Sequence, residues 1–177
     1  MKDWHILNIN YLFKHPYISA KVENRFSPKL GEHSYFLLEF PDWANIAAIT
    51  QSGDFILIRQ YRHGMGIVNL EIPGGVVDKG EEPGAAALRE LVEETGYVPD
   101  SIRLLRRVSV NPAIQDNWCH LYLATGCKIL ATQNLDSSED ISVALVSRSE
   151  VKELLRAGEI HHSLNVLALT LALQETE

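Results

Sequence analysis

The chain has 177 residues, 46% hydrophobic and 22% charged, which is ordinary globular usage and enough to bury one sizeable core. A formal net charge of −7 argues against broad electrostatic binding to nucleic acid or anionic membrane, because no surplus of Lys and Arg is available to neutralise phosphates. No window approaches ~18 consecutive apolar residues, and no apolar leader follows Met1-Lys2-Asp3-Trp4-His5, so a cytoplasmic protein is expected. Cys119 and Cys127 are not in a Cys-x-x-Cys pair; neither zinc nor a disulfide framework is indicated, and both are expected to be buried thiols.

In chain order, residues 17–26 and 34–40 are β-rich runs on either side of the polar Ser27-Pro28-Lys29-Leu30-Gly31-Glu32, which reads as a hairpin. Two strands alone are marginally stable. This hairpin therefore has to pack on the main domain or on a second subunit, with Tyr35 and Phe36 as candidate contacts. The division expected is an N-terminal β-rich subdomain, residues 1–41, and a main domain, residues 42–177. Residues 43–50 and 54–61 read as a second hairpin turning at Gln51-Ser52-Gly53. Residues 82–95 read as a helix, since Pro83 suits the first turn, Ala85, Ala86 and Ala87 are strong formers, and Gly96 suits the stop. Leu88, Leu91, Val92 and Thr95 are expected on its core face. Residues 102–110, 118–125 and 141–147 read as strands, and 150–157 and 164–174 as closing helices. Strands before, between and after helices, with no regular alternation, imply an α+β sandwich with a mixed sheet.

Chemistry concentrates between Gly75 and Tyr97. On a helix Glu90 and Glu94 are four residues apart and Glu93 lies three from Glu90, so three carboxylates crowd one patch. Most acidic runs are only solvated helix faces. Here each like-charge pair costs a few tenths of a kcal/mol unless a cation sits among them, and hard oxygen ligands suit magnesium or manganese. Arg89 is placed to buttress one carboxylate by a bidentate bond. Upstream, Pro73-Gly74-Gly75 lets bare backbone approach the patch, where a carbonyl could complete a metal shell.

This segment resembles the Nudix box, G-x5-E-x7-R-E-U-x-E-E-x-G-U with U a bulky apolar residue. Gly75, Glu81, Arg89, Glu90, Leu91, Glu93, Glu94 and Gly96 fit it; Tyr97, aromatic where the family prefers an aliphatic, bears only on packing. The resemblance implies a Nudix-type α/β/α sandwich and metal-dependent hydrolysis, in which water attacks phosphorus while Mg2+, or Mn2+ as substitute, offsets pyrophosphate charge. By the same resemblance Glu90 and Glu94 are the main metal ligands, Glu93 assists, and Gly74 supplies a carbonyl. Glu81 and Arg89 support the loop and helix.

Outside the box, Arg59-Gln60-Tyr61-Arg62, the approach Glu71-Ile72-Pro73, Pro112 sixteen residues after Gly96, and the stretch from Ser138 to Leu173 resemble the branch that hydrolyses ADP-ribose and other nucleoside diphosphate sugars. That branch implies Glu139 as general base, with Asp136 and Asp140 in reserve. Arg62 is the candidate for phosphate or ribose, its bland alternative being a surface salt bridge. Trp43 and Tyr35 are candidates for stacking on the base, although such aromatics are more often core. Asn111 to Asn117 departs from the branch, lacking a glycine after the proline and a glutamate near Asn117, which shifts weight to Glu139. The adjacent His161 and His162 read as a cap or interface pair rather than metal ligands. Relatives are commonly homodimers in which the N-terminal hairpin is exchanged. The rival readings are a non-catalytic nucleotide-sugar-binding regulator and a Nudix hydrolase of dinucleoside polyphosphates, coenzyme A or oxidised nucleoside triphosphates.

Overall fold

The computed structural model describes residues 3–176; Met1, Lys2 and Glu177, which belong to the ranges assigned above, lie outside the described residues. Two compact units emerge. The first runs to Asp42 and takes in Ser109–Trp118; the second comprises Trp43–Val108 and Cys119 onward.

The first unit is an antiparallel sheet in the order β1-β2-β3, formed by β1 (His5–His15), β2 (Ile18–Ser27) and β3 (Gly31–Glu39). The hairpin expected from the sequence is β2 with β3, paired from Ser19 opposite Glu39 to Ser27 opposite Gly31. The structure adds β1. Leu7, Ile9, Tyr11 and Phe13 alternate along it, but Ile6 and Leu12 put apolar side chains on the other face as well, and all 11 positions are exposed, so no single buried face marks the strand. Lys21 and Glu23, facing inward from β2, are buried as a pair. Lys21 Nζ lies 3.0 Å from Glu23 and 2.5 Å from Glu39, and Arg25 closes on the other Glu23 oxygen. Burial opposes both charges, but these bonds outweigh it, holding Lys21 above and Glu23 below their usual ranges.

The second unit is built on a mixed sheet in the order β11-β5-β4-β10-β8. Its strands are β4 (Trp43–Thr50), β5 (Phe55–Arg62), β6 (Ile67–Glu71), β7 (Gly74–Val76), β8 (Tyr97–Val98), β9 (Ser101–Ser109), β10 (Trp118–Ile129) and β11 (Ile141–Val146). Strand β10 runs parallel to β4, while β5 is antiparallel to both β4 and β11. The helices are α1 (Pro83–Thr95), α2 (Arg148–Ala157) and α3 (Ser163–Glu175).

Strand β4 is the centre of this unit. Ala44, Ile46 and Ala48, alternating along it, pack with Ala86, Ala87 and Leu91 of α1. Asn45, on the opposite face, donates from Nδ2 to Asn165 Oδ1 of α3 at 3.2 Å. Helices α1 and α3 therefore cover opposite faces of the sheet, giving the α/β/α sandwich, and β4 reads as nearly continuous apolar sequence because both its faces are buried.

Helix α1 corrects the sequence reading of its core face. The buried positions are Ala86, Ala87, Leu91, Glu94 and Thr95, while Leu88 and Val92 sit half-buried on the flank. Two alanines in a row let the helix lie close against β4, and that rotation turns Glu94 inward. Strands β6, β7 and β8 were not read from the sequence. Of these β7 is three residues long and two-thirds glycine, pairing Gly74 with Asn45 and Gly75 with Ala44, so no β-propensity marks it.

Candidate active site

Helix α1 is anchored at its C-terminal end by Gly96, whose φ of 74° places it in the left-handed region. Its N–H donates to Val92 O at 2.8 Å, and its carbonyl accepts from Leu130 and Ala131 at 3.2 and 3.1 Å. A Cβ here would lie 2.5 Å from Ala131 O, so only glycine satisfies both the turn and the contact. The loop before the helix is held by Arg89. Its Nε and Nη2 donate to the two Glu81 oxygens at 3.0 Å each, Nη2 to Val76 O at 3.1 Å, and Nη1 to Glu90 at 2.8 Å and Glu93 at 3.1 Å. Glu81 also accepts from Asp78 N at 3.0 Å. One guanidinium thus relieves the repulsion between Glu90 and Glu93 and ties both to the loop that carries Glu81.

Glu94 is arranged differently. It is 3% exposed, and its Oε2 accepts from Gly74 N at 2.9 Å. Burial pushes its carboxyl up to about 8, with the Glu90 and Glu139 charges adding to the rise and the Gly74 N–H opposing it. Burial likewise raises Glu90, against the pull of Arg89. Gly75 is what allows this packing, because a Cβ on it would collide with the Glu90 carboxylate. Two carboxylates whose charge is disfavoured by burial, set against a bare Gly-Gly backbone, fit a hard divalent cation that would restore their ionised form. Among the described residues no three His, Cys, Asp or Glu side chains form a closed ligand set. An ion that keeps waters and shares substrate phosphates needs no such cage.

Beside this carboxylate group a cleft of about 440 Å3 opens, walled by Gly74, Gly75, Val76, Trp43, Arg62 and Met65, with Asn45, Asn69, Glu71 and His162 also lining it. Arg62 donates from Nε and Nη2 to the two Glu71 oxygens at 2.8 and 2.9 Å. Glu71 is 3% exposed and accepts a further bond from Asn165 Nδ2 at 3.4 Å. Burial disfavours the Glu71 charge, yet Arg62 holds the carboxyl below its usual range. Asn45, Asn165, Glu71 and Arg62 thus form one polar chain through the unit from α3 to the cleft.

A family model described as NUDIX domain matches residues 41–166. The chain belongs to the Nudix family. It is 29% identical over 159 residues to an ADP-ribose pyrophosphatase of Bacillus subtilis (strain 168), a match covering 89% of this chain and 86% of that one. It is 33% identical over 141 residues to a methanol dehydrogenase activator of Bacillus methanolicus, covering 78% and 76%. A solved structure titled ADP compounds hydrolase shares the fold, with a TM-score of 0.87, 22% identity, and coverage of 99% of this chain and 95% of that one.

The Nudix box therefore occupies β7, the following loop and α1, and the structure brings Gly74, Gly75, Glu81, Arg89, Glu90, Glu93 and Glu94 together there. Glu139, on the loop before β11, accepts from Asp136 N at 3.0 Å, and its charge is felt at Glu90, Glu94 and Arg62. Trp43 and Arg62 line the cleft; the guanidinium is engaged by Glu71 rather than held out alone. Tyr35 and Pro112 line another cavity, of about 310 Å3, in the first unit with Trp4, Arg25, Leu37 and Asp116. There Trp4 meets Tyr35 edge-on, with ring centroids 5.5 Å apart. Sequence reasoning passed over Asn45 and Asn165 and used Glu71 only as part of a motif. The available signal was a polar residue inside an apolar run, as in Asn45 between Ala44 and Ile46 and in Asn165 among the leucines of α3, where burial demands a partner.

Proposed function

We propose that this Nudix chain hydrolyses the pyrophosphate bond of nucleoside diphosphate sugars, ADP-ribose and its relatives, to a nucleoside monophosphate and a sugar phosphate. The observation that carries the reading is the placement of buried Glu94 and half-buried Glu90 directly behind the Gly74-Gly75 wall of a cleft large enough for part of a nucleotide. The names of the relatives in Bacillus subtilis and Mycobacterium tuberculosis, both ADP-ribose pyrophosphatases, support the substrate class.

In this reading Glu90, Glu94, Glu93 and the Gly74 carbonyl hold Mg2+, with Mn2+ as a substitute. The bound cation supplies charge neutralisation for the pyrophosphate and lowers the pKa of water. Arg89 keeps Glu90 and Glu93 in place while Glu81 and Gly96 fix the two ends of the box. Glu139 takes the proton of the attacking water, whose oxygen forms a bond to one phosphorus as the bridging oxygen leaves with the other phosphate. Arg62 meets substrate oxygens from its place on Glu71, and Trp43 offers a ring face to the base. Tyr35 and Pro112 complete the nucleotide site through a homodimer with exchanged N-terminal hairpins. Support for that assembly comes from the exposed apolar side chains of β1, among them Ile6, Leu7, Leu12 and Phe13 at 50–63% exposure. The buried thiols of Cys119 and Cys127, neither in a disulfide, suit a reducing cytoplasm.

The test is release of phosphate monoester from ADP-ribose, ADP-glucose, GDP-mannose, UDP-glucose, diadenosine polyphosphates and coenzyme A, with magnesium and with EDTA. Cleavage that requires metal and is confined to sugar nucleotides is the expected result. Preference for the polyphosphates or coenzyme A would overturn the substrate class, and tight binding without turnover would replace the hydrolase with a regulator.

A further inference from the structure

Helix α3 begins inside the cleft. Its N-cap residue is His162, whose side chain makes no capping bond to the helix, and Asn165 one turn later is 0% exposed and bonded to both Asn45 and Glu71. The first turn of α3 is therefore fixed against the floor of the cleft. His162 Nδ1 is buried and has no hydrogen-bond partner among the described residues. It stands 4.0 Å from Glu71 Oε2, while the side chain as a whole remains 36% exposed. The Nδ1 edge of the ring is thus the one beside Glu71, and with that nitrogen buried it is the remainder of the ring that His162 has to offer to the cleft it lines.

An imidazole so placed has one economical arrangement. A small ring movement lets Nδ1–H donate to Glu71, which removes the orphaned buried nitrogen and leaves Nε2 as an acceptor turned to the cleft. An acceptor is what a hydroxyl seeks, whereas phosphate oxygens carry no proton to give. The side-chain donor that lines the cleft and suits phosphate is the Arg62 guanidinium. We propose that His162 is a specificity-determining residue that accepts, through Nε2, a hydrogen bond from a sugar hydroxyl of the substrate. This rests on the nucleotide-sugar reading above. The same chemistry is offered by the ribose of the nucleoside and by the terminal sugar.

The experiment is steady-state hydrolysis of ADP-ribose in saturating magnesium by the wild-type protein and by His162→Ala, His162→Gln and His162→Asn, with thermal melting of each. Glutamine places its terminal amide where the imidazole carries Nε2; asparagine reaches only as far as Nδ1 and can serve Glu71 alone. The alanine variant is expected to raise KM about tenfold, the worth of one good hydrogen bond, with kcat falling by less than KM rises. Glutamine should restore most of that KM and asparagine little. A second substrate, ADP esterified with methanol on its terminal phosphate, separates the two sugars. A KM there that ignores His162→Ala assigns the terminal sugar, and one that rises equally assigns the nucleoside ribose. Unchanged KM for ADP-ribose in the alanine variant, or rescue by asparagine as full as by glutamine, would overturn the inference and leave His162 as a support for Glu71. Failure of the wild-type protein itself to cleave ADP-ribose would instead sink the nucleotide-sugar reading.

Discussion

A carboxylate turned into the sheet-facing side of a helix, as Glu94 is, spends a core position on a charge that burial disfavours. Its carboxyl is pushed from 4.5 to about 8, above any value it would have in the unfolded chain. Protonation is therefore favoured by folding. The stability this brings is full below about pH 4.5 and is lost as pH rises through 8. Metal-free protein should accordingly melt at lower temperature at pH 9 than at pH 6 as far as this group is concerned. Glu94→Gln should remove that dependence and, in EDTA at pH 9, raise stability by roughly 1–2 kcal/mol, while cutting metal-dependent turnover by at least about 100-fold. Melting curves in EDTA and kcat in magnesium check the two halves. Unchanged turnover would remove Glu94 from the metal site.

At the scale of elements, the approach of β7 to both β4 and α1 depends on two residues without side chains. Gly75→Ala should displace the Glu90 carboxylate, and Gly74→Ala should drive a Cβ to 2.5 Å from Ala44 O in the central strand. The Gly74 variant, which meets backbone, is expected to cost about 1–3 kcal/mol in urea unfolding, and the Gly75 variant less, because the Glu90 side chain can swing aside. Gly84, in the first turn of α1, makes a useful contrast because a Cβ there meets only the Tyr122 ring and hydroxyl at ordinary distances, 3.5 Å or more. Gly84→Ala should therefore stabilise by about 0.5 kcal/mol through helix propensity. The junction of β5, β6 and α3 is the Arg62, Glu71 and Asn165 network. Arg62 holds the Glu71 carboxyl below 4.5, so the stability from this group is full above that pH and lost as pH falls through its lower folded value. Glu71→Gln should lower stability at pH 7 by roughly 2 kcal/mol and flatten the acid limb of a stability-against-pH curve. An acid limb identical to wild type would mean the pair contributes nothing. Helix α1 and the Gly74-Gly75 approach were legible in the sequence because local spacing alone specifies them. Strand β7 was not, since its pairing with β4 is a tertiary fact carried by residues with no strand preference.

For the whole molecule, the exposed apolar side chains of β1 bear on assembly. Leu12 is 63% exposed and Phe13 52%, more apolar surface than a monomer ordinarily leaves in one strand. Light scattering should give twice the chain mass, and Leu12→Asp with Phe13→Asp should shift the protein toward monomer at micromolar concentration. If Tyr35 and Pro112 act through the exchanged hairpin, KM for ADP-ribose should rise along with dissociation. A wild-type monomer that is fully active would end the exchange model.

The sequence by itself determined the family, because Gly75 to Gly96 carry the Nudix box as a local pattern, and the reaction class is what that family membership implies. It also determined the main elements, whose turns and caps are short-range features. Only the tertiary structure decided which carboxylate is buried, that one guanidinium, Arg89, serves Glu81, Glu90 and Glu93 together, and that Arg62 is held by Glu71. It alone carried Asn165 and His162 from the far end of the chain to the cleft. Burial and partnership are set by which surfaces meet, and residues more than 90 positions apart, as Glu71 and Asn165 are, leave no spacing in the sequence from which such a meeting can be read.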